Sequence, residues 1–183
     1  MDLRNITGKL LVAVPGLEDP NFRHSVVLVC EHSGVGAFGL VVNRVLMKSI
    51  RPLTEELGME SAAVDFPVYY GGPVKADQGY LLFSPFEDRH GAIRITDDLG
   101  VTASKEALLD ITRGKGPSRF IFTLGFSGWT ANQLEAELMG DSWLVAPPDL
   151  RLIYSAPVAD RWRMAGQSIG VDFARYVGSA GRA

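Results

Sequence analysis

The sequence predicts an α+β fold on a mixed β-sheet, and three observations carry that expectation. Short apolar runs bounded by Gly, Pro, Asn and Asp recur between Leu10 and Ile95, the signature of strands joined by turns. From Ser104 the apolar spacing becomes helical, with Ala107, Leu108 and Ile111 on one face. Strands and helices then alternate toward the C-terminus, but without the regular strand-helix repeat of a doubly wound sheet.

Leu10 to Val14 is a continuous apolar run closed by Pro15-Gly16, which suits a strand buried on both faces. Glu18-Asp19-Pro20-Asn21 reads as a turn. Ser25 to His32 and Gly36 to Asn43 are two apolar runs joined at a glycine turn and predict a hairpin whose ends carry Cys30, Glu31, His32 and Asn43. Pro52 to Gly58 predicts a short helix, with Pro at its start and Gly just past its end. The aromatic and branched residues of Pro67 to Tyr70 and of Gly79 to Phe83 predict strands flanking a tight turn at Gly71-Gly72-Pro73. Ile93 and Ile95 bracket Arg94 in a strand-like alternation.

Ser104 can cap the helix that Gly114 and Pro117 stop. Phe120 to Leu124 predicts a strand, Gly125-Phe126-Ser127-Gly128 a turn, and Trp129 to Met139 a helix ended by Gly140. Trp143 to Ala146 and Leu152 to Ser155 are expected to be the last strands, around Pro147-Pro148, and Val158 to Ala165 the last helix. The small residues of Gly178 to Ala183 predict a loose tail.

With 183 residues, 46% hydrophobic and 21% charged, the chain is expected to fold as one domain spanning 1–183. A formal net charge of -3 offers no surplus of cations for phosphates, which argues against direct nucleic-acid binding. No stretch approaches the roughly 20 apolar residues of a membrane-spanning helix, and no export signal is expected. The single cysteine, Cys30, fits a reducing cytoplasm.

Several constellations could carry chemistry. A serine at the turn Gly125-Phe126-Ser127-Gly128-Trp129 could be a nucleophile on a strand-to-helix elbow, but Trp129 stands where the elbow needs its second glycine. The simpler expectation is a glycine turn that lets a helix start close to the sheet, and the same turn could hold an anion at the helix N-terminus. Cys30 and His32, two apart on a strand, are expected to share a face. They lack further ligands for a metal site, and Cys30 is expected to be a core thiol. Gly71-Gly72-Pro73 matches no phosphate loop, so no cofactor is expected. Trp129, Trp143 and Trp162 are expected in the core. The polar and glycine residues at strand ends, Glu31, His32, Asn43, Gly71 and Gly72, form the candidate binding set.

A longer pattern then emerges. Pro15-Gly16-Leu17, Asp19-Pro20, Phe22, Ser25-Val26-Val27, Cys30-Glu31-His32, Gly36-Ala37 and Gly39 to Asn43 resemble the YqgE/AlgH family of bacterial proteins. The likeness continues through Gly71-Gly72-Pro73-Val74, Gly79, Thr102, Ser104, Leu124-Gly125, Gly128-Trp129, Gln133-Leu134-Glu135, Trp143-Leu144, Ala146, Arg161-Trp162 and Gly170-Val171-Asp172. It implies an α+β domain whose bent or bifurcated sheet partly closes like a barrel, with helices around it, in the bacterial cytoplasm. The family name is linked to transcriptional regulation of alginate synthesis, although no DNA-binding module stands out in this chain. Phe83 stands where the family often has histidine, and Ser127 where it usually has alanine, so the resemblance carries over no catalytic residue. The expected function is therefore regulatory binding of a protein partner or small ligand. The alternatives are a hydrolytic or phosphoryl-handling enzyme working through Ser127, and a transcriptional regulator.

Overall fold

In the computed structural model, which describes residues 5–60 and 62–173, ten strands form one curled sheet with helices packed on it. β1 (Leu10–Ala13), β2 (Val26–Ser33) and β3 (Gly36–Val41) make an antiparallel meander. Two short elements, β4 (Val45–Met47) and helix α1 (Arg51–Glu56), lead to β5 (Val68–Tyr70), which pairs with β4. β6 (Val74–Ser84), β7 (Ile93–Arg94) and β8 (Gly100–Thr102) precede helix α2 (Lys105–Thr112). β9 (Arg119–Thr130), α3 (Gln133–Met139), β10 (Trp143–Ala146), α4 (Leu150–Tyr154) and α5 (Arg161–Ser168) complete the described chain.

β9 organises the sheet because it has three neighbours. One edge pairs with β6, antiparallel. The other edge is shared: Phe122 to Leu124 pairs parallel with β5, and Ser127 to Thr130 pairs antiparallel with β3. The sheet therefore forks at Gly125, whose φ of 73° bends β9 without ending it. The bifurcated, mixed sheet is the one that the resemblance implied, and it curls into a half-barrel.

The fork explains a correction. Gly125 to Gly128 is not a turn, and the next helix starts at Gln133 rather than Trp129. Glycine-rich composition reads as a break, but here the residues keep their ladder because both edges of β9 are occupied. A second correction is Leu152 to Ser155, which lies in α4 and just past it, not in a strand. The Asp149 carboxylate accepts the N–H groups of Arg151 (2.8 Å) and Leu152 (3.2 Å) and so starts a helix where Pro147-Pro148 suggested extension. The short strands β4 and β8 gave no signal of their own. The Gly178 to Ala183 tail falls outside the described residues.

The apolar side chains separate into three layers. The concave layer takes Leu10, Val12, Leu28 and Leu40 from one half of the sheet and Leu82, Val101 and Ile121 from the other, with α4 and α5 closing over it. On the outer face of the first half, Leu11, Val27, Val29 and Val41 pack against Leu134 of α3 and against Trp129 and Trp143. On the outer face of the second half, Leu81, Phe83 and Phe122 pack against Ala107, Leu108 and Ile111 of α2. A fully buried Leu or Ile contributes roughly 1.5–3 kcal/mol, so these layers dominate stability. All three tryptophans are buried, as expected.

Candidate functional site

Gly71 and Gly72 occupy the fork. The Gly71 N–H donates to the Leu124 carbonyl, and the Gly71 carbonyl accepts the N–H of Val41 (2.9 Å) and the hydroxyl of Ser127 (3.1 Å). A Cβ on Gly71 would lie 2.1 Å from the Gly125 oxygen, and one on Gly72 would lie 2.2 Å from the Phe126 carbonyl group. Both glycines are buried and serve the close approach of two backbones.

The other three residues of the binding set lie at the two ends of the hairpin. Asn43, just past β3, accepts the Val26 N–H on Oδ1 and donates through Nδ2 to the His24 carbonyl, each at 2.8 Å. Glu31 and His32 sit near the opposite end, where β2 meets Phe38 and Ala37. The five residues therefore do not converge on one open pocket. Glu31 is exposed and lines a shallow depression with Val35, Phe38 and Trp129; it has no ion pair among the described residues.

Cys30 and His32 do not share a face, contrary to the simple alternation. The β2–β3 register shifts between Val29 and Glu31, and such a bulge resets which way the following side chains point. Cys30 joins the concave layer, while Ala37 and Trp129, which align with His32, belong to the outer one. The Cys30 thiol is a core group, as expected: burial pushes its pKa up, and the Glu31 charge adds to the effect.

Two histidines carry carboxylate partners that sequence spacing could not reveal. His32, 4% exposed, meets Glu135 of α3 at 3.0 Å, and its backbone N–H donates to the Thr7 hydroxyl. His90 meets Asp110 of α2 at 2.9 Å. His90 lines a small space of about 10 Å³, room for a single water at most. The neighbouring Thr102 hydroxyl already donates to the His90 carbonyl at 2.7 Å. Ser127 is fully buried in mid-strand with its hydroxyl committed to the Gly71 carbonyl, and among the described residues it bonds to no His, Asp or Glu. The elbow and the helix N-terminus that a catalytic or anion-binding Ser127 requires are absent from this segment.

A different place has the shape of a site. Between α1, the start of α2 and the outer face of β6 and β9 lies an open groove of about 500 Å³, in the size range of small-molecule sites. Leu53, Leu57, Leu108, Phe122 and Leu124 supply apolar walls. Lys75, Asp77, Gln78, Ser104 and Lys105 supply polar ones. The groove exists because β6 leaves its ladder: Val74 pairs with Phe126 and Gly79 with Leu124, so four residues of β6 stand opposite Gly125 alone. Such bulges are enriched beside functional sites. Within it Lys75 takes a φ of 45°, a conformation costly for a lysine. At the α2 end, the Ser104 hydroxyl accepts the Glu106 and Ala107 N–H groups and donates to the Glu106 carboxylate. That last bond is the main cause holding the Glu106 carboxyl below its ordinary pKa.

Among the described residues no group of three or more His, Cys, Asp and Glu side chains is placed to hold a metal ion. No described helix is long and apolar enough to cross a membrane.

The architecture defines the class first: an α+β protein with a forked, curled sheet and an open groove on one outer face. Comparison with known proteins then places it: the sequence matches the AlgH-like family (DUF179) over residues 10–174, and the chain belongs to that family. It is 40% identical over 186 residues to the UPF0301 protein YqgE of Escherichia coli, covering 98% of this chain and 100% of that one. The solution structure of the AlgH protein from Pseudomonas aeruginosa superposes with a TM-score of 0.80 at 31% identity, over 100% of this chain and 98% of the other. A crystal structure of a protein from Corynebacterium diphtheriae shares the fold, with a TM-score of 0.68 at 23% identity over 86% and 83% of the two chains.

Proposed function

We propose that this protein is a non-catalytic regulatory binding protein of the cytoplasm, and that the groove between α1, β6 and α2 is where it takes a small ligand. The observation that carries the reading is the strained bulge of β6. A lysine held at positive φ beside a large, half-apolar groove fits a surface shaped for a guest better than one shaped for stability. Glu31, exposed on the hairpin, is the member of the first candidate set still available to a partner protein. The net charge of -3 favours regulation through such contacts over direct grip on nucleic acid.

The test compares wild type with Leu57→Trp, which fills the groove from a position that is 56% exposed and so spares the core. Both proteins are screened by thermal denaturation against a collection of small metabolites. A compound at 100 times its dissociation constant stabilises by about 2.7 kcal/mol, and that gain is expected in wild type and lost in Leu57→Trp. Hits that raise both melting temperatures equally bind elsewhere and defeat the assignment. Turnover of any hit would defeat the non-catalytic reading.

A further inference from the structure

We infer that the ligand class of this groove is a small amphipathic anion: one carboxylate- or phosphate-like head on an apolar body. The inference rests on the groove reading above and adds the chemistry of the guest. Its first support is the division of the lining. Leu53, Leu57, Leu108, Phe122 and Leu124 offer apolar walls, and Leu57 remains more than half exposed, which leaves apolar surface in water until a guest covers it.

The second support is charge. Lys75 and Lys105 reach the groove from two separate elements, the bulge of β6 and the first turn of α2. Neither has a carboxylate within salt-bridge distance among the described residues, although Arg51, Arg89, Arg94, Arg113 and Arg163 all do. Asp77 is the only acid lining the groove, so two cations face one carboxylate there. Glu106, on the same turn, bonds the Ser104 hydroxyl and feels the Lys105 charge, but it is beyond salt-bridge distance and does not line the cavity.

The third support is the backbone. Lys75 sits at a φ of 45° in a stretch where β6 has abandoned four ladder positions. A lysine gains nothing locally from that conformation, whereas a glycine or asparagine would adopt it readily. Its charge at the groove gives the residue a purpose there. A cationic guest would be repelled by both lysines, and a neutral one would gain no charge–charge attraction from them.

The experiment titrates isotope-labelled full-length protein with octanoate, octanol and octyltrimethylammonium, three probes with the same tail and different heads, and follows backbone and methyl resonances. Octanoate is expected to shift Leu53, Leu57, Leu108 and Leu124 and to bind about tenfold more tightly than octanol. Octyl phosphate, run beside it, tells a phosphate head from a carboxylate one by its relative affinity. The double variant Lys75→Gln/Lys105→Gln should abolish the advantage of octanoate while leaving octanol unchanged, and Lys75→Arg/Lys105→Arg should restore it. If octanol or octyltrimethylammonium shifts the groove as strongly as the anions, the charge inference fails and the groove reading stands. If no probe shifts any groove resonance, both fail.

Discussion

On the outer face of β1–β3, the Glu137 carboxylate accepts both the Trp129 and the Trp143 indole N–H groups at 2.8 Å and the Gln133 side chain at 2.9 Å, while Glu135 takes His32. On the outer face of β6 and β9, across the fork, Lys75, Asp77 and Lys105 surround an open groove, and neither lysine has a carboxylate within salt-bridge distance among the described residues. Both faces carry a helix, aromatic side chains and charged residues, so composition alone does not tell them apart. The difference lies in whether the fold uses up its own polar groups. Where every donor finds an acceptor inside the chain, polarity is structural; where charges stay unpaired beside exposed apolar surface, they are available to something else.

The fork that separates the two faces is the place to break the comparison outright. Gly72 has a φ of 151°, and a Cβ there would lie 2.2 Å from the Phe126 carbonyl group. Gly72→Ala is expected to cost about 3 kcal/mol or more, through overpacking against backbone that cannot rotate away. Gly34→Ala, at the hairpin turn with nothing within 4 Å of the added carbon, should stay within about 0.5 kcal/mol of wild type. Urea unfolding of both variants decides the matter. Equal midpoints would mean that the two halves of the sheet are not held together at Gly71-Gly72.

The next test sharpens the contrast between the two faces. Glu137→Ala leaves two indole N–H groups without their acceptor and is expected to lose about 2–3 kcal/mol, whereas Lys105→Ala, in the groove, should change stability by less than about 0.5 kcal/mol. Denaturant curves followed by tryptophan fluorescence give both numbers. A groove lysine as costly to remove as Glu137 would make the groove a structural feature too.

Much of the fold was legible where residues speak for themselves. The β2–β3 hairpin, the Ser104 cap and the buried run at Leu10 follow from local patterning, and the structure has them. The forked sheet came from the family resemblance, since nothing local says that β9 will have three neighbours. The failures share one cause. Gly125 to Gly128 reads as a turn, and becomes strand only because β3 and β6 flank it; β8 becomes a strand only between β6 and β7. In α4 the competing signal was present, since Asp149 is a good N-cap, but Pro147-Pro148 outweighed it. The groove was illegible for the same reason of distance: its walls come from Leu53 and Leu57, from Lys75 to Gly79, from Ala103 to Leu108, and from Phe122 and Leu124. Of the candidate binding set, His32, Asn43 and Gly71 make hydrogen bonds inside the fold, and Gly72 lets two backbones approach. The one local hint missed was the polar stretch Lys75-Ala76-Asp77-Gln78 leading into a strand pattern, which is what a bulge looks like in sequence.

The smallest expected effect bears most directly on why the groove face is built as it is. Left-handed backbone costs an ordinary L-residue about 1–2 kcal/mol, and glycine relieves that cost while adding unfolded-state entropy of about 0.5–1 kcal/mol. Lys75→Gly, at a φ of 45°, should therefore raise stability by about 0.5 kcal/mol, the difference between those two terms, and no long-range contact of the fold is lost. On the closed face, truncating a polar side chain such as Glu137 moves stability the other way. If Lys75 is held in place for its charge, the stabilised variant binds octanoate several-fold more weakly than wild type, measured alongside the urea midpoint. A more stable protein with weakened binding would show that strain at this bulge is retained for function. A less stable one would mean that Lys75 makes its own contribution to the fold, and the contrast between the two faces would lose its clearest instance.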